Sequence, residues 1–492
     1  MKLAFKYGNH YGKLAVIIGV LIAVPILILP FYPDEVKYIP SFLIPSILSI
    51  AFGFFLCKYL HVKQSQGGFR DNLRVGSFAV LFAWVYGITM GALPFVLSGL
   101  LNPIQAVFEA VSGWTTTGLS VMDVEATPYI FLFHRGFMQF CGGLGFLMMM
   151  IIFVQGKQAM ALYSAEGHPD KLLPNIRKTA QTICIMYCGF LVVGVLMYLV
   201  CGMNLFDSII HTMCSLSTGG FSTRADSIGY YDSPAIEAVT IVQMLVGTTN
   251  FAALLLLTKG KIMQFIKVSE VRFLFMLLIV FVPVTAFILT YGLYVNLAEG
   301  LRLSLFNIVS ALSTTGYSTM PYQDWPQAAL GIMIIMMLIG GGIGSTAGGL
   351  KLTRIYIMLR STIDDIRMRL KPARSIRKIT YITAHGKEEV DDRLLKNTSS
   401  FFVCYLVLFC IGTIAVSITA NCDLTSAMFD FASSLGTVGL SIGITGPATN
   451  MATLIVEIIG MFMGRLEIFI VFIGVHELYS YARSFIRLKW KK

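Results

Sequence analysis

Long runs of apolar residues, interrupted only by short polar gaps, fill this chain almost from end to end. A run of about 20 such residues is what a helix needs to cross the ~30 Å hydrocarbon core of a bilayer. Of 492 residues, 56% are hydrophobic and only 13% charged, against about 25% charged in an average soluble domain. An integral membrane protein is expected, and in lipid only helices or closed barrels satisfy the backbone. A first run from Leu14 to Leu29 follows Lys2, Lys6 and Lys13, the charge order of a signal peptide. It lacks a small-residue cleavage site, and Pro30 to Pro40 leads into a second run ending near Leu60, so two membrane helices are predicted.

The remaining runs form a unit that recurs. Long helices are predicted near 73–98, 178–203, 270–296 and 398–420, and second long helices near 128–154, 234–258, 327–360 and 449–480. Between the two helices of each pair stands a short stretch that reads almost the same every time. These are Thr115-Thr116-Thr117-Gly118-Leu119-Ser120, Ser217-Thr218-Gly219-Gly220-Phe221-Ser222, Ser313-Thr314-Thr315-Gly316-Tyr317-Ser318 and Gly436-Thr437-Val438-Gly439-Leu440-Ser441. Their shared glycines stand 102, 96 and 123 residues apart, too far for a solenoid repeat. Phe108, Ile210, Phe306 and Phe429 lie ten residues before those glycines, each followed by a polar residue: Glu109, His211, Asn307 or Asp430. The short segments they mark, about ten residues or ~15 Å of helix, can enter a membrane and stop halfway, which requires surrounding protein or water.

A helix ending mid-membrane aims the negative end of its dipole at the bilayer centre, where a cation is favoured. An extended Thr/Ser-Gly backbone can then present carbonyl oxygens in place of a cation's water shell, as potassium-channel filters do. One Thr-Thr-Gly is an ordinary turn. Four copies at matched offsets argue a single site built four times.

Charge is sided. The segments 31–40, 98–127, 202–234, 292–326 and 421–450 contain Lys37, Arg224 and Arg302 as their basic residues, against twelve acidic ones. Residues 351–397 carry twelve Lys or Arg and six Asp or Glu, and the tail adds Arg483, Arg487, Lys489, Lys491 and Lys492. The net charge of +11 is thus a topology signal with both termini cytoplasmic, and no nucleic-acid role is expected. The nine cysteines contain no C-x-x-C; Cys184 and Cys188 could share a metal, but small buried thiols are the simpler reading.

Two more motifs sit in the second helices. One is Gly464-Arg465-Leu466-Glu467-Ile468-Phe469, the other Gly340-Gly341-Gly342-Ile343-Gly344-Ser345-Thr346-Ala347-Gly348-Gly349. The latter lacks the adjacent Gly-Lys-[Ser/Thr] of a P-loop and the third glycine of a dinucleotide fingerprint, so nucleotide binding is rejected. So many glycines should break the helix, and irregular backbone at that depth must line a cavity; a glycine-packed helix crossing is the alternative. Arg465, costly in mid-membrane, is read as functional, with a structural ion pair to Glu467 or Glu457 as the alternative, and the two are compatible. His134 and Arg135 are expected to snorkel or to pair with outer carboxylates. The glycines of Gln139-Phe140-Cys141-Gly142-Gly143 and Val246-Gly247-Thr248-Thr249-Asn250 are read as sites of close helix approach.

With these motifs the chain resembles the Trk/Ktr/HKT superfamily of potassium transporters, and its bacterial TrkH/TrkG branch in particular, over nearly its whole length. The resemblance implies an all-α integral membrane fold, with four pseudo-fourfold helix–pore-loop–helix repeats around one pore and two extra N-terminal transmembrane helices. The organisation expected is a helix pair over 1–66 and repeats over 67–156, 176–260 and 268–360, the third with the intramembrane loop. A basic cytoplasmic linker over 361–396 and a fourth repeat with the tail over 397–492 complete it. Potassium would be the transported ion at the four loops, with no cofactor and no enzymatic role, and the 340–349 loop and Arg465 would gate the path beneath. A homodimer in the bacterial cytoplasmic membrane is implied, with a cytosolic nucleotide-binding regulatory ring of TrkA type. Residues 351–397 and the loops around 155–178 and 259–272 are candidate docking surfaces, and the linker could equally meet anionic lipid. Sodium coupling or weaker selectivity is the rival within the superfamily; a membrane enzyme is disfavoured because neither G-x-S-x-G nor H-E-x-x-H occurs.

Overall fold

A computed structural model describes residues 10–59, 69–145, 176–293, 296–370 and 379–489; the loop expected near 155–178 lies, up to residue 175, outside them. Among the described residues six helical segments are apolar and long enough to span a bilayer: Tyr11–Phe31, Pro33–Tyr59, Ser77–Leu97, Lys178–Val200, Ser269–Gly292 and Asp392–Ala420. Their outward faces carry bare Val192, Leu196, Ile279, Val280, Val403, Val407 and Ile411, which is stable against lipid tails and costly against water. The fold is that of an all-helical membrane protein.

The two N-terminal helices, His10–Ala23 and Ile39–Tyr59, pack tightly, because Gly12, Gly19 and Gly53 leave no room for a Cβ between their backbones. Glu35, in the turn that joins them, accepts from the amides of Tyr129 and Ile130 at 2.7 and 2.8 Å. It thereby satisfies two orphan donors at the start of helix Tyr129–Leu144.

Each repeat then contributes a long helix, a short buried helix, a loop and a second helix. The short helices are Pro103–Trp114, Leu205–Leu216, Leu297–Leu312 and Leu424–Gly436. Each starts on a side-chain cap: Asn102, Asn204, Asn296 and Asp423 all have extended backbone, and each accepts from an amide in the first turn.

The break expected at the glycine-rich stretch of repeat three is present, after Ile339, and the other second helices are also shorter than the continuous spans expected: they end at Leu144, Thr248 and Arg465, with residues 146–154 of the first lying outside the described residues. Pro234–Thr248 meets Phe251–Thr258 at 116°, and Met451–Arg465 meets Ile468–His476 at 104°. In repeat two Thr249 turns extended and Asn250 caps the next helix through the Ala252 amide at 2.7 Å. At the breaks a Cβ on Gly142, Gly247 or Gly464 would strike the carbonyl of Trp114, Leu216 or Leu435, the last residues or so of the short helices. Helix approach is thus as close as those glycines suggested.

The linker is not wholly irregular. Helix Leu352–Arg369 runs through the 360/361 boundary, and Thr380–Thr383 pairs with Gly386–Glu389 as a small antiparallel hairpin, the one β element among the described residues. The Ile382 amide donates to Ser269 Oγ at 2.9 Å, which fixes the hairpin to the start of helix Ser269–Gly292.

Asn102 Oδ1 accepts from two amides, Ile104 and Gln105, at 3.1 and 3.0 Å. Asn102→Ala should therefore cost about 1 kcal/mol and lower the thermal unfolding midpoint in detergent; an unchanged midpoint would show that the cap does not hold the short helix.

Candidate functional site

The four loops share one backbone conformation. Thr116, Thr218, Thr314 and Thr437 are left-handed, with φ of 55°, 52°, 55° and 52°, and the glycines two residues on, Gly118, Gly220, Gly316 and Gly439, have φ of 98°, 72°, 85° and 100°. In every repeat the Thr amide donates to the carbonyl three residues back: Gly113, Ser215, Ala311 or Ser434. The next amide, of Thr117, Gly219, Thr315 or Val438, reaches back five residues to Ser112, Cys214, Ser310 or Ser433, at 2.8–3.0 Å. This is the Schellman ending of a helix, in which the left-handed residue is usually glycine. A threonine there costs on the order of 1–2 kcal/mol, and four strained residues at matched positions make this the candidate functional site.

The loops close on one another in a ring. A Cβ at Gly118 would fall on the carbonyl of Gly219, one at Gly220 on Thr315, one at Gly316 on Val438, and one at Gly439 on Thr117. Each glycine therefore meets the third residue of the next repeat, and the fourth repeat returns to the first. Glycine is needed twice over, for its φ and for this approach. Thr115, Thr116, Thr117, Ser217, Thr218, Ser313, Thr314, Thr315 and Thr437 are all buried.

Behind the ring the polar residue of each short helix ties down the far end of its own loop. Glu109 accepts from Ser120 Oγ at 3.1 Å, His211 Nε2 bonds Ser222 Oγ at 3.0 Å, and Asp430 accepts from Ser441 Oγ at 2.7 Å. In repeat three Asn307 holds Thr319, one residue later, at 2.9 Å. Arg135 pairs with Glu109 and lies 4.0 Å over the Phe221 ring; of the two expectations for it, pairing holds and snorkelling does not. His134 is likewise buried, against the Gly91 carbonyl at 3.0 Å.

Beneath the ring lies the glycine-rich loop. Gly340, Gly344 and Gly349 have φ of 69°, 74° and 75°, so the helix ends and the chain doubles back, with Gly340 against Gly349 and Gly341 against Thr248 and Ala347. The Gly342 amide donates to Thr248 O at 3.0 Å, and the Ser345 hydroxyl to Gly342 O at 2.8 Å. The loop is seated on three of the four left-handed threonines. The Gly348 amide donates to Thr314 Oγ1 at 2.8 Å, Thr346 Oγ1 is 3.2 Å from Thr218 Oγ1, and a Cβ on Gly348 would overlap Thr437 Oγ1. Arg465 donates to Thr346 O and, at 2.7 Å, to Gly142 O. Glu467 instead takes Arg354 at 2.7 Å, and Glu457 takes the Thr445 hydroxyl at 2.8 Å. The ion pairs considered for Arg465 give way to carbonyl contacts that join the loop to repeat one. Gly348, Lys351, Gly464, Arg465 and Glu467 line a common cavity there.

Three features carried too weak a signal in the sequence. The left-handed threonines defy their own propensity. Lys351, also left-handed at φ 80° and bonded to the Ala347 carbonyl, reads as the first residue of the basic linker. Glu270, which accepts from the Ile343 amide at 3.0 Å and from Thr353, lies far from the loop in sequence.

Comparison with known proteins supports a common architecture. The family model described as "TrkH: Cation transport protein" matches residues 41–480. The chain is 31% identical over 407 residues to the Trk system potassium uptake protein TrkH of Halomonas elongata, covering 80% of this chain and 83% of that one. It is 29% identical over 478 residues to a cation transporter of Methanocaldococcus jannaschii, covering 95% and 94%. The crystal structure of the potassium transporter TrkH from Vibrio parahaemolyticus superposes with a TM-score of 0.82 at 25% identity, covering 96% of this chain and 98% of that one.

Glu109 and Arg135 are 0% and 2% exposed. Glu109→Ala leaves the guanidinium buried without its partner and should cost about 3–5 kcal/mol, read as a large drop in thermal midpoint, with a smaller drop for Glu109→Gln. Equal midpoints for wild type and both variants would contradict the bracing role.

Proposed function

Because the chain belongs to the TrkH family of cation transport proteins, we propose that it takes up potassium through a channel-like pore whose selectivity filter is the ring of four loops. The observation that carries this reading is the cyclic closure, each filter glycine lying against the third-position carbonyl of the next repeat. Residues of positive φ alternate along each loop with residues of negative φ, which can turn successive carbonyls to the same side of the chain, where a zigzag strand would alternate them. Four such chains around an axis can replace the water shell of a cation. The ion ligands would be the backbone oxygens of residues 115–118, 217–220, 313–316 and 436–439, with the threonine hydroxyls at the lower end. The ends of the four short helices add negative potential there. An inward potential, at about 2.3 kcal/mol per charge per 100 mV, drives entry. No enzymatic step is needed.

The gate in this reading is the 340–349 loop held by Arg465. The loop sits under three of the four threonines, and the guanidinium adds a positive charge to the cavity an ion must enter. Passage requires the Thr346–Arg465 contact to yield. We place the protein in a bacterial-type cytoplasmic membrane with both termini inside, as a homodimer that binds a nucleotide-binding regulatory ring of TrkA type through its basic cytoplasmic face. The acidic-outside, basic-inside charge pattern supports that orientation.

Two measurements in liposomes test the reading. Gly118→Ser places a side chain against the Gly219 carbonyl and should reduce the ratio of rubidium to sodium uptake by at least about tenfold, the effect of ~1.4 kcal/mol of lost discrimination; an unaltered ratio would refute the filter assignment. Arg465→Ala should raise basal flux severalfold without its regulator, and flux equal to or below wild type at matched protein levels would remove Arg465 from the gate.

A further inference from the structure

The second loop is the odd member of the ring. Its third position is Gly219, where the others have Thr117, Thr315 and Val438. Gly219 has no left-handed φ, so backbone conformation does not demand glycine. A Cβ there would instead run into the side chain of Gln139, from the second helix of repeat one.

Gln139 is fully buried and grips the loop on both sides of Gly220. Its Oε1 accepts from the Phe221 amide at 3.1 Å, and its Nε2 donates to the Gly219 carbonyl at 2.5 Å. A primary amide offers a donor and an acceptor side by side, so it can pair with the loop much as a neighbouring strand would. Gln139 stands three residues before Gly142, in the last turn of its helix. Counting back three from Gly247, Gly340 and Gly464, the matching positions in the other repeats are Met244, Met337 and Met461, all fully buried. Repeat one has an amide where the other three have a packing methionine, and the loop beside it has no Cβ where that amide stands.

We propose that Gln139 is a positioning residue of the filter, which clamps the Gly219-Gly220 segment and so sets the discrimination between potassium and the smaller sodium ion. The inference rests on the four loops being the filter. Two successive glycines make this the loop with the greatest conformational freedom, and a filter that can contract around a smaller ion loses its preference for the larger one. The clamp replaces the stiffness that a side chain at position 219 supplies elsewhere.

Gln139→Met installs the residue of the other three repeats, nearly conserving volume while removing both hydrogen bonds. In liposomes under a fixed potential, its rubidium-to-sodium uptake ratio should fall about five- to tenfold, the scale of one or two lost buried hydrogen bonds, while rubidium uptake itself persists. A wild-type protein that discriminates beside a Gln139→Met variant with the same ratio overturns the inference and leaves the filter reading standing. A wild type without discrimination overturns both. Should Gln139→Met not elute as a folded protein, a second pair decides. Gly219→Ala should abolish selective uptake, and Gln139→Ala with Gly219→Ala should restore at least about a third of it, since neighbouring sites couple; a double variant no better than Gly219→Ala overturns the clamp.

Discussion

Everything in this molecule is arranged so that four stretches of backbone can approach one another without a side chain intervening. Gly118, Gly220, Gly316 and Gly439 each lie against a carbonyl of the next repeat, and such an approach is held only if each loop is fixed from behind. Three layers do so: the Schellman ending at each threonine, the polar residue of each short helix bonded beyond its loop, and the second helices wedged by glycine against the short-helix ends. Without the ring these would be three sets of strained or buried polar groups with nothing to offset them.

Much of this was legible in the sequence because membrane helices declare themselves by length and polarity, and because a motif repeated at matched offsets is harder to dismiss than a single turn. The placement of Phe108, Ile210, Phe306 and Phe429 ahead of their polar neighbours pointed to short buried helices. The breaks in the second helices were less legible. In repeat two the run from Pro234 to Thr258 has no proline at the bend, and its one signal, Asn250 as a helix cap, lay among small residues that suit close packing equally well. Arg135 illustrates a different limit: snorkelling and pairing use the same residue at the same depth, and only the position of Glu109 a helix away decides between them. The hairpin at 380–389 was hidden by a linker whose charge dominated its pattern.

The asymmetry of the molecule lies in what hangs beneath the ring. In repeat three the chain crosses under it, with Gly348 against the floor of repeats three and four and Thr346 against repeat two. Arg465, from repeat four, joins that crossing to Gly142 of repeat one. All four repeats therefore meet at the loop as well as at the ring, but by different atoms. The half-buried guanidinium is held by one carbonyl from the last turn of a helix, Gly142, and one from the irregular loop, Thr346.

That Gln139 stands where the other repeats have methionine has a consequence for how such a ring can change over generations. In a ring built from identical subunits, any substitution beside the filter is made four times at once, and an amide admitted at one place is admitted at all. Here each quarter is encoded separately, so one loop can lose a side chain and gain a clamp while three remain as they were. A single covalent chain frees the ring from its own symmetry, and each quarter can be altered alone.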